Sequence, residues 1–124
     1  MNPPAGGSSK PGAAVARGEV WLVDLDPTRG REQRGTRPAL VVSADRFSQG
    51  PAELVVVLPL TKVSKGIPSH VPVARADSGL DHDSFVICEQ VRCVSRERLA
   101  RRIGAAPPEV MARVGVVLRT LLEL

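Results

Sequence analysis

Aromatic side chains are scarce in this chain. Its 124 residues include one tryptophan, two phenylalanines and no tyrosine. The core must therefore be built from aliphatic side chains, and a nucleic acid bound to the surface would find few aromatic platforms for base stacking. Hydrophobic residues still make up 43% of the chain, which is an ordinary share for a globular protein. One domain with a modest core is therefore expected.

Cysteine is also scarce, with Cys88 and Cys93 as its two occurrences. A single pair separated by four residues matches neither a zinc site nor a disulfide framework. Both residues lie in or beside an apolar run, so we expect two buried and reduced thiols.

Motifs for metals and nucleotide cofactors are missing as well. The chain has no H-E-x-x-H, no carboxylate cluster with metal-binding spacing and no glycine-rich loop of the P-loop or dinucleotide type. These absences disfavour metal-dependent chemistry. We therefore predict no metal site and no cofactor.

Long apolar runs are absent too. No segment approaches the roughly twenty apolar residues of a membrane span, so no membrane partner is expected. The first sixteen residues are rich in Gly, Pro, Ala and Ser and lack the apolar centre of a secretory signal. We expect residues 1–16 to form a disordered tail and residues 17–124 to form the single domain of a soluble, cytoplasmic protein.

Positive charge is concentrated in two short segments. Of a total net charge of +4, residues 28–37, here called the basic loop, hold four arginines against one glutamate, a net +3. Residues 92–102, the second arginine segment, hold five arginines against one glutamate, a net +4, and the rest of the chain is net −3. Each segment is interpreted either as part of a phosphate or nucleic-acid footprint or as a solvated surface.

The apolar patterns predict a small, mainly β fold that ends in a helix. Pro107 and Pro108 open the helix, and five apolar residues from Val110 to Leu121 follow at helical spacing. Five or six short strands with hairpin-like spacing indicate a strongly curved antiparallel sheet or a partly open barrel. The predicted strands are 19–25, 38–43, 53–60, 69–75 and 84–94, the last as one long strand or a bent pair.

Three residues are candidates for a phosphate site: Glu32 in the basic loop, Arg37 at its end and Thr61 after the third strand. Arg37 precedes a proline, which restricts its backbone to an extended conformation. If the second and third strands are antiparallel neighbours, the start of one lies beside the end of the other, and Arg37 meets Thr61. Such a site suits metal-free RNA cleavage, in which the substrate's 2′-hydroxyl attacks and an arginine stabilises the phosphorane.

Each candidate also has a structural interpretation. Arg37 could be a surface ion-pair residue, and the Thr61 hydroxyl could satisfy a nearby backbone group. Glu32 could neutralise Arg29 and Arg34.

The histidines and one glutamine receive similar interpretations. His70 on the outer face of an edge strand and His82 in an acidic turn are expected to be solvated or locally hydrogen-bonded. Gln90 could read a base edge through its amide or have a structural role.

Five motifs in order resemble the MazF/PemK (Kid) toxin family across nearly all of the chain from Gly18 onward. They are G-E-V-W-L-V-D-L-D-P from Gly18, G-x-E-Q-x-G-x-R-P-A-L-V-V from Gly30, P-L-T at 59–61, S-K-G-x-P from Ser64 and D-S-x-x-x-x-E-Q-V-R from Asp83.

The resemblance implies the toxin of a type II toxin–antitoxin pair. Members of the MazF/PemK family are metal-independent endoribonucleases that cut single-stranded RNA at short sequences and leave a 2′,3′-cyclic phosphate and a 5′-hydroxyl. It also implies an SH3-like barrel of CcdB/PemK type, a homodimer with an RNA groove across both subunits, and inhibition by an acidic, MazE-like antitoxin.

The resemblance also suggests roles for individual residues. Arg37, Thr61 and Glu32 match the family's catalytic positions, and Gln33, Lys65 and Gln90 fall in motifs that border the substrate groove. With the basic side chains around them, the predicted RNA-binding set is Arg29, Arg31, Gln33, Arg34, Lys62, Lys65 and Gln90. The resemblance assigns neither the general acid nor the general base.

A non-catalytic function is the alternative. The same barrel occurs in toxins that bind DNA gyrase, and a small basic barrel can simply bind nucleic acid. The E-Q-x-G-x-R-P motif together with the strand-end threonine favours the nuclease.

Overall fold

Residues 15–124, which the computed structural model describes, form seven strands and three helices. The strands are β1 (Glu19–Asp24), β2 (Thr36–Val41), β3 (Leu54–Thr61), β4 (His70–Val73), β5 (Ser84–Ile87), β6 (Arg92–Ser95) and β7 (Leu99–Ala105). The helices are α1 (Asp45–Ser48), α2 (Arg75–Ser78) and α3 (Pro108–Leu122). Single 3₁₀ turns lie at Cys88–Gln90 and Arg96–Arg98.

The strands form one antiparallel sheet in the order β4-β5-β3-β2-β1-β7, and β6 also pairs with β3. The predicted mainly β fold with a C-terminal helix is confirmed. The strand predicted at 53–60 is central, since it pairs with β2, β5 and β6, and β4 is an edge strand beside β5. The segment predicted at 84–94 is the bent pair, with a 3₁₀ turn between β5 and β6.

Three elements were not predicted from the sequence. The short helix α2 begins at Arg75, where the end of a strand was predicted. The strand β7 (LARRIGA) was missed because it shows no simple alternation: Leu99 is buried, the next three residues are exposed, and the pairing with β1 shifts register twice. The connection between the predicted strands 38–43 and 53–60 contains the single helical turn α1.

Apolar side chains are buried on both faces of the sheet, and for this reason the strand sequences are nearly continuous apolar runs. The inner cluster lies on one face and consists of Val15, Trp21, Val23, Leu25, Ala39, Val41, Val55, Val57, Val94 and Leu99. The helix-side cluster on the other face includes Leu40, Leu58 and Leu60 together with Val110 and Val114 of α3. The predicted apolar stripe of α3 holds through Leu118, but Leu121 is 44% exposed rather than packed on the sheet.

The folded domain begins before the predicted boundary. Val15 is fully buried in the inner cluster, and its carbonyl accepts a hydrogen bond of 2.6 Å from the side chain of Gln49. Val15 and Ala16 therefore belong to the domain and not to the tail. The remainder of the expected tail, residues 1–14, lies outside the described residues. No helix within residues 15–124 has the length and apolarity needed to cross a membrane.

The central strand β3 changes partner along its length. Its residues up to Val57 pair with β6, whereas Leu60 and Thr61 pair with β5. Pro59, which has no N–H to donate, falls in the gap between these two ladders, and this explains how a central strand accommodates a proline. The gap faces the 3₁₀ turn Cys88–Gln90, which connects β5 to β6. This turn is therefore brought close to the end of β3.

The two cysteines are in different environments, which corrects the expectation that both are buried. Cys88 is fully buried, whereas Cys93 is exposed on β6, and both are free thiols. Burial raises the pKa of the Cys88 thiol to about 11, and the neighbouring Glu89 carboxylate adds to the rise.

We expect a thiol reagent such as iodoacetamide to label only Cys93 in the native protein. Cys88 is shielded and stays a neutral thiol at neutral pH, whereas only the thiolate is an effective nucleophile. Mass spectrometry should find one label per native chain and two after denaturation, and Cys93→Ser should remove the native label. Comparable labelling of Cys88 in the native protein would contradict its burial.

Candidate active site

The basic loop is part of the connection between β1 and β2, and hydrogen bonds at its base hold it in shape. The N–H of Leu25 donates to the Gly35 carbonyl at 3.0 Å, and the N–H of Gly35 donates to Asp26 Oδ1 at 2.9 Å. Gly35 has a φ of 80° and Gly30 a φ of 61°, so both glycines occupy backbone conformations that other residues rarely adopt. The loop thereby returns the chain directly into β2.

The strand register brings Arg37 and Thr61 together, as predicted. Ala39 in β2 lies opposite Pro59 in β3, and this register continued by two residues places Arg37 opposite Thr61. The Arg37 Nε–H donates to the Arg34 carbonyl at 3.2 Å, which orients the guanidinium and leaves its terminal nitrogens for a ligand. The Thr61 Oγ1 accepts a hydrogen bond of 3.2 Å from the Val63 N–H, so this hydroxyl also satisfies a backbone group.

Arg37 and Thr61 line a cavity of about 600 Å³, here called the main cavity. Seven of the ten predicted site residues line it, namely Arg31, Glu32, Gln33, Arg37, Thr61, Lys65 and Gln90. Its charged residues also include Glu89, so three permanent cations face two carboxylates. In the part of the chain that the structure describes, no three His, Cys, Asp or Glu side chains form a group suited to a metal ion.

The other three predicted residues lie outside the main cavity. Lys62 lines a side cavity of about 260 Å³, which also contains Arg37 and Thr61 and therefore adjoins the main cavity. Arg29 and Arg34 do not line either cavity. They belong to the basic loop beside the main cavity, where the Arg34 guanidinium donates to the Gly30 carbonyl at 3.4 Å.

Glu32 is held by the backbone of its own loop. Its Oε1 accepts a hydrogen bond of 3.1 Å from the Arg29 N–H, and its own N–H donates to the Arg29 carbonyl at 3.2 Å. The two ion pairs found among residues 15–124 do not involve Glu32. The carboxylate therefore contacts Arg29 through the backbone N–H and not through the guanidinium.

Gln90 ties the basic loop to the 3₁₀ turn Cys88–Gln90. Its Oε1 accepts a hydrogen bond of 2.7 Å from the Gln33 N–H, and its Nε2 donates to the Arg31 carbonyl at 3.2 Å. Although the amide lines the main cavity, both of its polar atoms already have backbone partners. The structural role weighed from the sequence is therefore present.

His70 and Glu89 are members of the site that the sequence analysis missed. His70 was expected to be solvated or locally hydrogen-bonded; its side chain is only 7% exposed, and its Nε2 lies 2.8 Å from Glu89 Oε2. The Ser69 hydroxyl donates to Glu89 Oε1 at 2.6 Å. The available signal was a charged residue, Glu89, two positions after the end of the buried strand β5. His82 is exposed and lines the side cavity.

The second arginine segment has structural contacts. Arg92 donates to the Leu25 carbonyl at 3.1 Å, and Arg98 donates to the carbonyls of Asp24 and Asp26. Arg96 donates to the carbonyls of Ser48 and Gly50. Arg102 forms an ion pair with Glu19. The cations that line the main cavity are instead Arg31 and Arg37 of the basic loop, together with Lys65.

The Glu89 carboxyl has a shifted pKa. Burial acts to raise the pKa of Glu89. Hydrogen bonds from Ser69, from the Glu89 backbone and from His70 act to lower it, as does the charge of His70. The net result is a pKa below the usual range of a glutamate. Because the pKa is lower in the folded protein than in the unfolded chain, ionised Glu89 stabilises the fold above the ordinary glutamate pKa. This contribution is lost as the pH falls through the lowered value.

We therefore expect Glu89→Gln to reduce the free energy of unfolding at neutral pH, with a smaller reduction in acid. Screening of this partly exposed group keeps the difference below about 1 kcal/mol. Urea unfolding of both proteins from about pH 7 to about pH 3 measures it. Glu97→Gln, in the other 3₁₀ turn, is the matched control. A difference for Glu89→Gln that grew as the pH fell would contradict the assignment.

Comparisons with known proteins agree with this architecture. The family model for PemK-like, MazF-like toxins of type II toxin–antitoxin systems matches residues 16–122. Endoribonuclease MazF9 of Mycobacterium tuberculosis is 38% identical over 115 residues, which cover 89% of this chain and 98% of that protein.

Solved structures give the same result. MazF from Deinococcus radiodurans has a TM-score of 0.78 at 31% sequence identity, covering 89% of this chain and 97% of that chain. A mycobacterial endoribonuclease in complex with its cognate antitoxin has a TM-score of 0.73 at 27% identity, covering 90% and 97% of the two chains. The chain described here therefore belongs to the PemK/MazF family of toxins of type II toxin–antitoxin systems.

Proposed function

We propose that this protein is an endoribonuclease that cuts single-stranded RNA without a metal ion and acts as the toxin of a type II toxin–antitoxin pair in the cytoplasm. The observation that carries the proposal is that Arg37 and Thr61 together line both the main cavity and the side cavity. Glu32 lines the same main cavity. The endoribonuclease relative and family membership support the same activity.

The proposed reaction is a transesterification within the RNA. The 2′-hydroxyl loses its proton and its oxygen attacks the adjacent phosphorus, while the bond from phosphorus to the 5′-oxygen breaks and that oxygen gains a proton. The products are a 2′,3′-cyclic phosphate and a 5′-hydroxyl. Arg37 stabilises the negative charge that develops on the phosphorane, because its terminal nitrogens can contact two phosphate oxygens. Glu32 and Thr61 position the reacting groups or assist proton transfer.

The cationic surroundings account for RNA binding in this proposal. Arg37 and Thr61 line both cavities. A phosphodiester bound between these two residues therefore leaves room for the RNA strand to continue into either cavity. The proposed RNA-binding residues are Arg29, Arg31, Gln33, Arg34, Lys62 and Lys65. Gln90 was predicted with them, but both polar atoms of its amide bond the basic loop. Phosphate neutralisation by such side chains makes affinity fall with salt concentration.

The same surface is proposed to bind the inhibitor. A cognate MazE-like antitoxin with an acidic segment would occupy the cationic cavity and exclude RNA, and the related mycobacterial endoribonuclease is known in complex with its own antitoxin. We propose a homodimer with a groove across both subunits, as the family resemblance implies. The proposal includes no cofactor.

The first test is RNA cleavage by Arg37→Ala in the presence of EDTA. Wild-type protein should cut single-stranded RNA, and the variant should lose roughly 10²–10³-fold in rate, as expected when one stabiliser of transition-state charge is removed. Arg113→Ala, an exposed arginine on α3, is the matched control and should cut normally. Both variants should melt near the wild-type temperature. A folded Arg37→Ala protein with full activity would refute the role of Arg37.

The second test addresses the nucleophile. An RNA oligonucleotide carrying a single 2′-deoxy substitution at the cleavage position should not be cut there, since the attacking hydroxyl is absent. The same substitution several nucleotides away is the control and should leave cleavage intact. Gel analysis of end-labelled RNA measures both. Undiminished cutting at the deoxy position would exclude 2′-hydroxyl attack, and intact RNA with inhibited gyrase would favour the non-catalytic alternative.

A further inference from the structure

Gln90 connects the tip of the basic loop to a rigid part of the fold. Of the hydrogen bonds formed by residues 29–34 in the described chain, those to Gln90 are the ones that leave the β1–β2 hairpin. They join positions that are 57 and 59 residues apart in sequence. The position of the loop tip relative to the sheet therefore depends on this side chain.

The two bonds bracket Glu32. The Arg31 carbonyl belongs to the peptide group that precedes the Glu32 Cα, and the Gln33 N–H belongs to the peptide group that follows it. One amide side chain thus holds both peptide planes around Glu32, at 3.2 Å and 2.7 Å. Two fixed planes restrict the φ and ψ of the residue between them, and these angles set the direction of its Cα–Cβ bond.

The support beneath Gln90 is itself well anchored. Cys88 in the same 3₁₀ turn is fully buried, and its N–H donates to the Ser69 carbonyl at 3.2 Å. Glu89 is bound by the Ser69 hydroxyl and by His70 at the start of β4. The turn is thus fastened to β4 on one side, and Gln90 reaches the basic loop on the other.

We infer that Gln90 is a positioning residue that aims the Glu32 carboxylate into the main cavity by holding the two peptide groups on either side of it. This inference rests on the proposed function, in which Glu32 assists the reaction. It assigns Gln90 an effect on the rate of the chemical step and not on RNA affinity. Direct reading of an RNA base by the amide is the competing role, and it would change affinity and sequence preference.

The experiment measures single-turnover cleavage and RNA affinity for Gln90→Met, which keeps the length of the side chain but removes both hydrogen bonds. We expect the cleavage rate to fall roughly ten- to hundredfold, as when a reacting group is misplaced by about 1 Å, with affinity within about twofold of wild type. Gln49→Met is the matched control, because Gln49 also donates to a backbone carbonyl, at Val15, but lies outside both cavities. It should cut RNA at the wild-type rate.

A double-mutant cycle with Glu32→Gln identifies the route of the effect. If Gln90 acts through Glu32, Gln90→Met should have little further effect once the carboxylate is gone, so the two losses should not multiply. A loss of the same size in both backgrounds, or a loss confined to affinity or to one RNA sequence, would overturn the inference.

The outcomes also separate this inference from the proposed function. If wild-type protein leaves RNA intact, the proposed function fails and the inference fails with it. If wild-type protein cuts RNA and Gln90→Met cuts it equally well, the inference alone is overturned.

Discussion

The antiparallel register of β2 and β3 is the constraint on which the site depends. Arg37 continues the row of β2 residues that face the inner cluster, and Thr61 continues the corresponding row of β3. A slip of one residue would turn one of these side chains to the opposite face of the sheet. Burial on both faces opposes such a slip, because it would exchange the side chains packed in the inner cluster with those packed in the helix-side cluster.

Two elements from distant parts of the sequence complete the site around this pair. The hairpin between β1 and β2 carries Arg31 and Glu32, and the 3₁₀ turn Cys88–Gln90 supplies the bonds that hold the hairpin tip. The turn occupies the gap where β3 passes from β6 to β5, so the interruption of the sheet at Pro59 has a consequence for the site. Arg92 and Arg98 of the second arginine segment donate hydrogen bonds to the carbonyls of Leu25 and Asp24 at the base of the same hairpin.

Much of the fold and part of the site were predictable from local signals. Apolar runs bounded by turn residues marked β1, β2 and β3, and the proline pair marked the start of α3. Arg37 and Thr61 were paired from strand direction alone. The strand β7 was missed because register shifts against β1 erase its alternation. His70 and Cys93 were misjudged because the burial of an edge-strand residue depends on what packs beside it, which local sequence does not specify.

The amino-acid sequence by itself determined the mainly β class with its terminal helix, the cationic loop and the identity of the residues placed at the ends of β2 and β3. Hydrophobic periodicity, proline geometry and charge density depend on a few neighbouring residues, so they can be recognised in the sequence alone. The tertiary structure alone decided which arginines face the cavity and which hold the fold, and it alone joined Glu89 to His70 and Gln90 to the loop. Those contacts cross long stretches of sequence, and only the packing of the strands determines which distant groups meet.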